Sequence, residues 1–376
     1  MDRFAATVDL DAVRDNVANL CRRSGSAQVM AVVKADGYGH GMVPCALASV
    51  EAGAEWLGVA FLDEALALRA AGVQVPVLAW LMTPGDDVVA AAGAGVDVSV
   101  SATWALEAAA TAADVTGRAT RVHLKVDTGL GRAGVTAEEW PALAEAAAKH
   151  VADGTLDVVG LWSHLAYADA PGHPTIARQV AAFGEASQIA GRAGLRPQLR
   201  HLANSAATLA LPDTHFDLVR PGVAVYGLSP GPEVGTAASL GLRPAMRLAA
   251  QLALVKQVPA GQGVSYAHRY TTSRATTLAL VPLGYADGVP RHATNVGPVQ
   301  INGRRFTVSG TVCMDQFVVD IGDLPATAGD EVVLFGPGDN GEPTAEDWAA
   351  AIGTINYEIV TRIGARVPRR YVGATA

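Results

Sequence analysis

Charge, cysteine and long apolar runs are all scarce in this 376-residue chain, and each shortage closes off a class of function. Only 17% of residues are charged, and 36 acidic groups outnumber 28 basic ones for a net charge of −8. With no run of lysine or arginine either, nucleic acid is not an expected partner. Cys21, Cys45 and Cys313 are scattered, without C-x-x-C spacing, which fits a reduced, cytoplasmic enzyme. The longest apolar stretches are broken by Asp, Glu or Arg, so no membrane-spanning helix is expected. The opening MDRFAATVDLD lacks the apolar core of a signal peptide. Nine histidines show no H-E-x-x-H or similar pairing, so no metal site is expected.

What the chain does have is a large apolar share, half its residues, and a length that favours two domains. Between residue 30 and about 230, short β-branched runs alternate with alanine-rich helical stretches. Strand candidates lie at 29–34, 56–61, 75–81, 97–101, 121–127, 158–164, 198–203 and 218–226, with helical patterns such as 62–71, 102–113, 137–151 and 174–193 between them. Eight βα units in some two hundred residues predict a (β/α)8 barrel. A doubly wound open sheet is the alternative, because periodicity does not show closure. After about residue 240 the texture turns to short strands with Gly and Pro turns, at 247–258, 276–283, 299–301, 305–308, 316–321 and 331–335. Asn302-Gly303 is a type I′ hairpin signal. The expected architecture is α/β, a barrel over 10–240 followed by a mainly-β domain over 241–376.

A barrel places its chemistry at the C-terminal ends of its strands. Unusual polar residues do gather there: Lys34 at the first, the Asp127-Thr-Gly-Leu-Gly-Arg132 turn at the fifth, Ser163-His164 at the sixth, Asn204-Ser205 after the seventh and Arg220-Pro-Gly222 on the eighth. Singly, each has an ordinary explanation: a snorkelling lysine, a solvated loop arginine, a satisfied core histidine. Lys34 stands within Ala31-Val-Val-Lys-Ala-Asp-Gly-Tyr38-Gly-His-Gly41. Burial at a strand tip lowers an amine's pKa, so the neutral form can attack a carbonyl. The glycines at 37, 39 and 41 lead us to expect close approach of backbone to a ligand. G-x-G-x-G is not the dinucleotide fingerprint, however.

AVVKADGYGHG resembles the pyridoxal phosphate (PLP) attachment motif of the alanine racemases, which often have Asn-Ala where Asp36-Gly37 stands here. HLKVDTGLGR, SHLAYAD, HLANSAA, VRPGVAVYG, GVSYAHRYTT, GYADGVPR, CMDQ and NYEI each resemble a family block, in the family's order and over nearly the whole chain. The resemblance implies a PLP barrel and a β-domain, with residues 1–9 joining the latter, in a head-to-tail homodimer whose β-domains complete each other's sites. It implies an enzyme that interconverts L- and D-alanine and supplies D-alanine for bacterial peptidoglycan.

Lys34 is then the cofactor lysine and one of two acid/base groups, and Tyr266 of the other subunit is the second. Two groups on opposite faces of Cα suit racemisation better than one. A tyrosine near pKa 10 needs nearby positive charge to serve as a base. Arg220 would bond the pyridine nitrogen and keep it unprotonated, which limits side reactions such as transamination. His164 would orient Arg220. Tyr38, Asn204, Ser205, the backbone of Gly222 and Val223, and Tyr357 complete the cofactor site. Arg132 and the Met314 backbone would receive the substrate carboxylate, with Tyr285 narrowing the pocket.

His123, Lys125 and Asp127 share strand parity, so an inward face there would bury a lysine among charges. In the family that lysine is often carbamylated, and an anion there would position Arg132. Thr311 departs from the arginine that many members carry. A broader serine-type racemase, a decarboxylase on the same architecture and a PLP-binding carrier are the competing readings. Decarboxylase relatives place a carboxylate where Arg220 stands, and carriers resemble the barrel alone.

Overall fold

The computed structural model describes residues 3–374; residues 1, 2, 375 and 376 lie outside it. Eight short parallel strands form one sheet, in the spatial order Leu199–His201, Leu156–Trp162, Thr120–Lys125, Asp97–Val100, Val77–Ala79, Trp56–Val59, Gln28–Val32 and Leu218–Val219. The chain visits them consecutively, with helices such as Leu62–Ala70, Thr103–Thr116, Trp140–Ala152 and Thr175–Arg192 between. Closure comes from Asp217 N–H donating to Arg200 O at 3.0 Å and Arg220 N–H to Ala203 O at 2.9 Å. Those bonds join the last two strands and decide for the barrel over the open sheet.

The strands are shorter than their apolar runs. The eighth stops at Val219 and the chain turns into a 3-10 helix, Val223–Tyr226. Pro221 has no N–H to continue a ladder, so the apolar run to 226 is core but not strand. The run at 247–258 is two strands, Met246–Gln251 and Leu254–Val258, in different sheets. Ala253 N–H already bonds Leu280 O, so the chain changes sheets at that corner. A helix outside the expected set, Leu10–Ser24, is capped by Asp9, whose Oδ1 accepts from the N–H groups of Asp11 and Ala12.

The C-terminal part is a six-stranded sheet beside a three-stranded one. Asn302 and Gly303 both have positive φ, 47° and 75°, as a I′ turn requires, and Ile301 pairs with Arg304 across it. The N-terminal strand Phe4–Asp9 lies between Met246–Gln251 and Arg369–Val372.

Candidate active site

At the C-terminal mouth of the barrel is a cavity of about 690 Å3, within the ordinary range for a small-molecule site. Four cationic side chains line it, Lys34, Lys125, Arg132 and Arg220, and among the described residues no carboxylate does.

Lys34 reaches it through an unusual backbone. Ala35, Asp36, Gly37 and Tyr38 all take positive φ, between 52° and 61°, so the chain makes a left-handed turn as the strand ends. For the three non-glycine residues this costs about 1–2 kcal/mol each. Asp36 offsets part of it by accepting from Met42 N–H at 2.8 Å, and Glu64 accepts from Ala35 N–H at 2.7 Å. The turn swings Tyr38 into the barrel mouth, 5.0 Å from the Tyr226 ring and 6.2 Å from that of Tyr357. Two of the three glycines also face the C-terminal part of the chain. A side chain at Gly39 would strike Val360 O and one at Gly41 the Tyr371 hydroxyl, so both serve packing against the C-terminal part.

The Lys34 amine lies 5.8 Å from the Trp80 ring, and its pKa is lowered by burial first and by the charge of Arg132 second. Lys125 is buried, with Nζ 4.1 Å over the Trp162 ring. Burial, then Arg220 and Arg132, push it down to about 8. Arg220 lies 4.8 Å from the same ring and donates to Ser163 O, Leu202 O, His164 Nδ1 and His201 Nδ1 at 2.8, 3.2, 3.3 and 3.1 Å. Burial lowers its pKa to about 9, which leaves it cationic at neutral pH. His164 is pushed well below the usual value by burial and the Arg220 charge, so it is a neutral acceptor.

The other end of the cavity is built from hydroxyls and backbone. Ser205 Oγ accepts from the N–H groups of Gly222 and Ala224 at 2.7 and 3.3 Å. A Cβ at Gly222 would sit 2.3 Å from the Tyr38 hydroxyl, so that cradle requires glycine. Val223 and Tyr357 line the same cavity. Asn204 lines it too, but its side-chain oxygen caps the helix Ser205–Ala210 through Ala207 N–H. Asp127 accepts from the N–H groups of Gly129, Leu130 and Gly131, which braces the turn carrying Arg132. The sequence reading missed, among others, Trp162 in the cavity wall, under both Lys125 and Arg220, and His201, outside the lining but bonded to Arg220. Their signal is inward parity on strands six and seven.

Tyr266, Met314 and Tyr285 do not line this cavity. They sit together on the β-domain, 73%, 53% and 43% exposed. Tyr285 N–H bonds Cys313 O and Ala286 N–H bonds Met314 O, both at 3.0 Å. Thr311 is buried and donates to Tyr266 O at 2.9 Å. Ser265, Ala267 and His268, flanking Tyr266, have φ of 59°, 60° and 43°. Backbone strain of this kind collects at functional loops.

Among the described residues no helix is long and apolar enough to cross a membrane. The cysteines are free thiols.

Residues 8–230 match the family model for the alanine racemase N-terminal domain, and 245–371 that for the alanine racemase C-terminal domain. The chain is 67% identical to the alanine racemase of Frankia casuarinae over 370 residues, 98% of this chain and 96% of that one. It superposes on the crystal structure of alanine racemase from D-cycloserine-producing Streptomyces lavendulae with a TM-score of 0.98 at 56% identity, covering 100% of this chain and 98% of that one. The alanine racemase of Streptomyces coelicolor A3(2) gives the same TM-score at 59% identity, over 99% and 98%. With both halves matched, in order and over almost its full length, the chain belongs to the alanine racemase family.

Proposed function

We propose that this chain interconverts L- and D-alanine with pyridoxal phosphate held in the barrel mouth, as a homodimer with shared sites. The charge of the cavity carries the reading: four cations and, among the described residues, no carboxylate suit a ligand with anionic groups at two ends, a phosphate and a carboxylate. The residues fit the cofactor. Tyr38, Ser205, Tyr357 and the Gly222–Val223 backbone would hold its phosphate, with Asn204 fixing the helix that carries Ser205. Arg220, steadied by His164, would meet its ring nitrogen, and Arg132 the substrate carboxylate. When bound, the cofactor draws electrons from Cα and acidifies its proton.

Lys34 does the work of one face. Its lowered pKa enlarges the neutral fraction that attaches a carbonyl and that takes or returns the proton. Tyr266 of the partner subunit would serve the opposite face, with the Met314 backbone of the same loop cluster meeting the substrate carboxylate and Tyr285 narrowing the pocket toward a methyl group. Exposure of all three supports this placement. Lys125, with its pKa near 8 beside Arg220 and Arg132, is a candidate for carbamylation, which would return an anion to the cluster. Electron density beyond its Nζ would test that. The D-alanine produced would supply peptidoglycan.

The test is polarimetry of L-alanine with PLP-loaded protein, beside L-serine, and of two variants mixed. Decay of the alanine rotation to zero without loss of amino acid is the expected result. Release of carbon dioxide would point to decarboxylation, and a static signal with bound PLP to a carrier. Lys34→Ala and Tyr266→Phe, each inactive alone, should regain about a quarter of the activity after subunit exchange, since half the dimers then carry one intact site. No regain would refute shared sites.

A further inference from the structure

The buried Arg220 guanidinium has no carboxylate within ion-pair distance among the described residues; its acceptors are two carbonyls and two imidazoles. Behind it a polar line crosses the barrel interior, a space usually filled by branched aliphatic side chains. Arg220 Nη1 meets His201 Nδ1 at 3.1 Å, and His201 Nε2 meets His123 Nδ1 at 2.8 Å. His123 Nε2 then meets Asp97 Oδ2 at 3.2 Å. Asp97, almost fully buried, is gripped by Arg121 through Nε at 2.8 Å and Nη2 at 3.0 Å.

The chemistry of the two ends gives this line one direction. A guanidinium only donates, so His201 Nδ1 accepts and its proton sits on Nε2. His123 Nδ1 must then accept and Nε2 must donate, to a carboxylate that accepts from both sides. Burial alone would raise Asp97, but the bonds from His123 and Arg121 outweigh it and hold the pKa down. Burial and Arg220 keep His201 neutral.

The barrel makes room for the line. Gly160 stands opposite His123 across the strand pair, where a Cβ would lie 2.1 Å from the imidazole. Trp162 stacks on His201 with ring planes 2° apart, and Trp56 meets His123 edge-on. Packed on both sides, the rings have little freedom to turn.

We propose that Asp97, His123 and His201 are positioning residues: a one-way line of hydrogen bonds that keeps the His201 Nδ1 lone pair turned to Arg220 and so fixes the guanidinium in place. Its bearing on catalysis rests on the reading above that Arg220 meets the cofactor ring. The direction of the line does not.

Nitrogen-15 NMR of histidine-labelled protein, with and without PLP, tests the direction first. Both His123 and His201 should carry their proton on Nε2; a proton on Nδ1 of either overturns the proposal without any variant. The second arm compares His123→Leu with His123→Gln, since glutamine keeps one acceptor and one donor. During alanine turnover, His123→Leu should raise transamination to pyruvate and pyridoxamine phosphate, relative to racemisation, roughly tenfold. His123→Gln should recover most of that. A folded His123→Leu protein with wild-type partition and an unchanged His201 tautomer would refute the proposal. If His123→Leu does not fold, the wild-type tautomers decide. Failure of the wild-type protein to bind PLP or racemise alanine would instead sink the proposed function.

Discussion

The barrel mouth and the loop face of the β-domain present the same kinds of residue in opposite states. In the mouth, polar groups are buried and bonded: Arg220 has four acceptors and Ser205 two donors. On the loop face the side chains of Tyr266, Met314 and Tyr285 stand outward, while their backbone is tied down by Thr311, Cys313 and a strained Ser265–His268 turn. The mouth is finished as a binding site. The loop face is held by its backbone while its side chains stay exposed, which suits the shared site proposed above.

The comparison can be broken most easily at Lys34. Lys34→Ala should cost about 10^3-fold or more in racemisation and abolish covalent attachment of the cofactor, read by its absorbance. Next is Tyr266→Phe, expected to cost at least about 100-fold from L-alanine while PLP stays bound. Equal loss of cofactor would make Tyr266 a structural residue and erase the distinction between the two regions.

A smaller effect separates them by pH. Lys125 titrates near 8 in the fold against a reference of 10.5, so the folded protein holds that proton more weakly than the unfolded chain. The resulting penalty is full below about pH 8 and fades as pH rises toward the unfolded value. Lys125→Met should therefore raise the melting temperature of cofactor-free, carbon dioxide-depleted protein by roughly 2 °C at pH 7, with the gap closing near pH 10. A gap independent of pH would mean the gain is packing rather than charge. The smallest expected effect is at Ala267: Ala267→Gly relieves a positive φ and should stabilise by less than about 1 kcal/mol in denaturant unfolding.

Much of the mouth was legible because lysine, arginine and histidine at strand ends stand out against alanine and valine. Lys34, Arg132, His164 and Arg220 were found that way, and all four line one cavity. The left-handed turn after Lys34 was not legible. Alanine, aspartate and tyrosine disfavour it locally, and it exists because Glu64 and the Met42 amide hold it from outside. Asp97 escaped because it stands at the start of its strand, the end of the barrel where chemistry was not sought. His123 was grouped with Lys125 by strand parity, but its partners stand on two other strands, Asp97 on the neighbouring one and His201 one strand further off, a register that no single segment encodes. The eighth strand was overread because an apolar run signals burial, and burial at 223–226 is served by a tight helix instead.

Strand Phe4–Asp9 sits in the six-stranded sheet with Met246–Gln251 on one flank and Arg369–Val372 on the other. In the order of synthesis, then, the first strand made waits for one of the last. The barrel is an insertion within a discontinuous β-domain, free to fold on the ribosome while its host is still missing a border. Trimming the first eight residues would leave Asp9 to cap the helix Leu10–Ser24 and spare the barrel, yet unseat the domain that carries Tyr266.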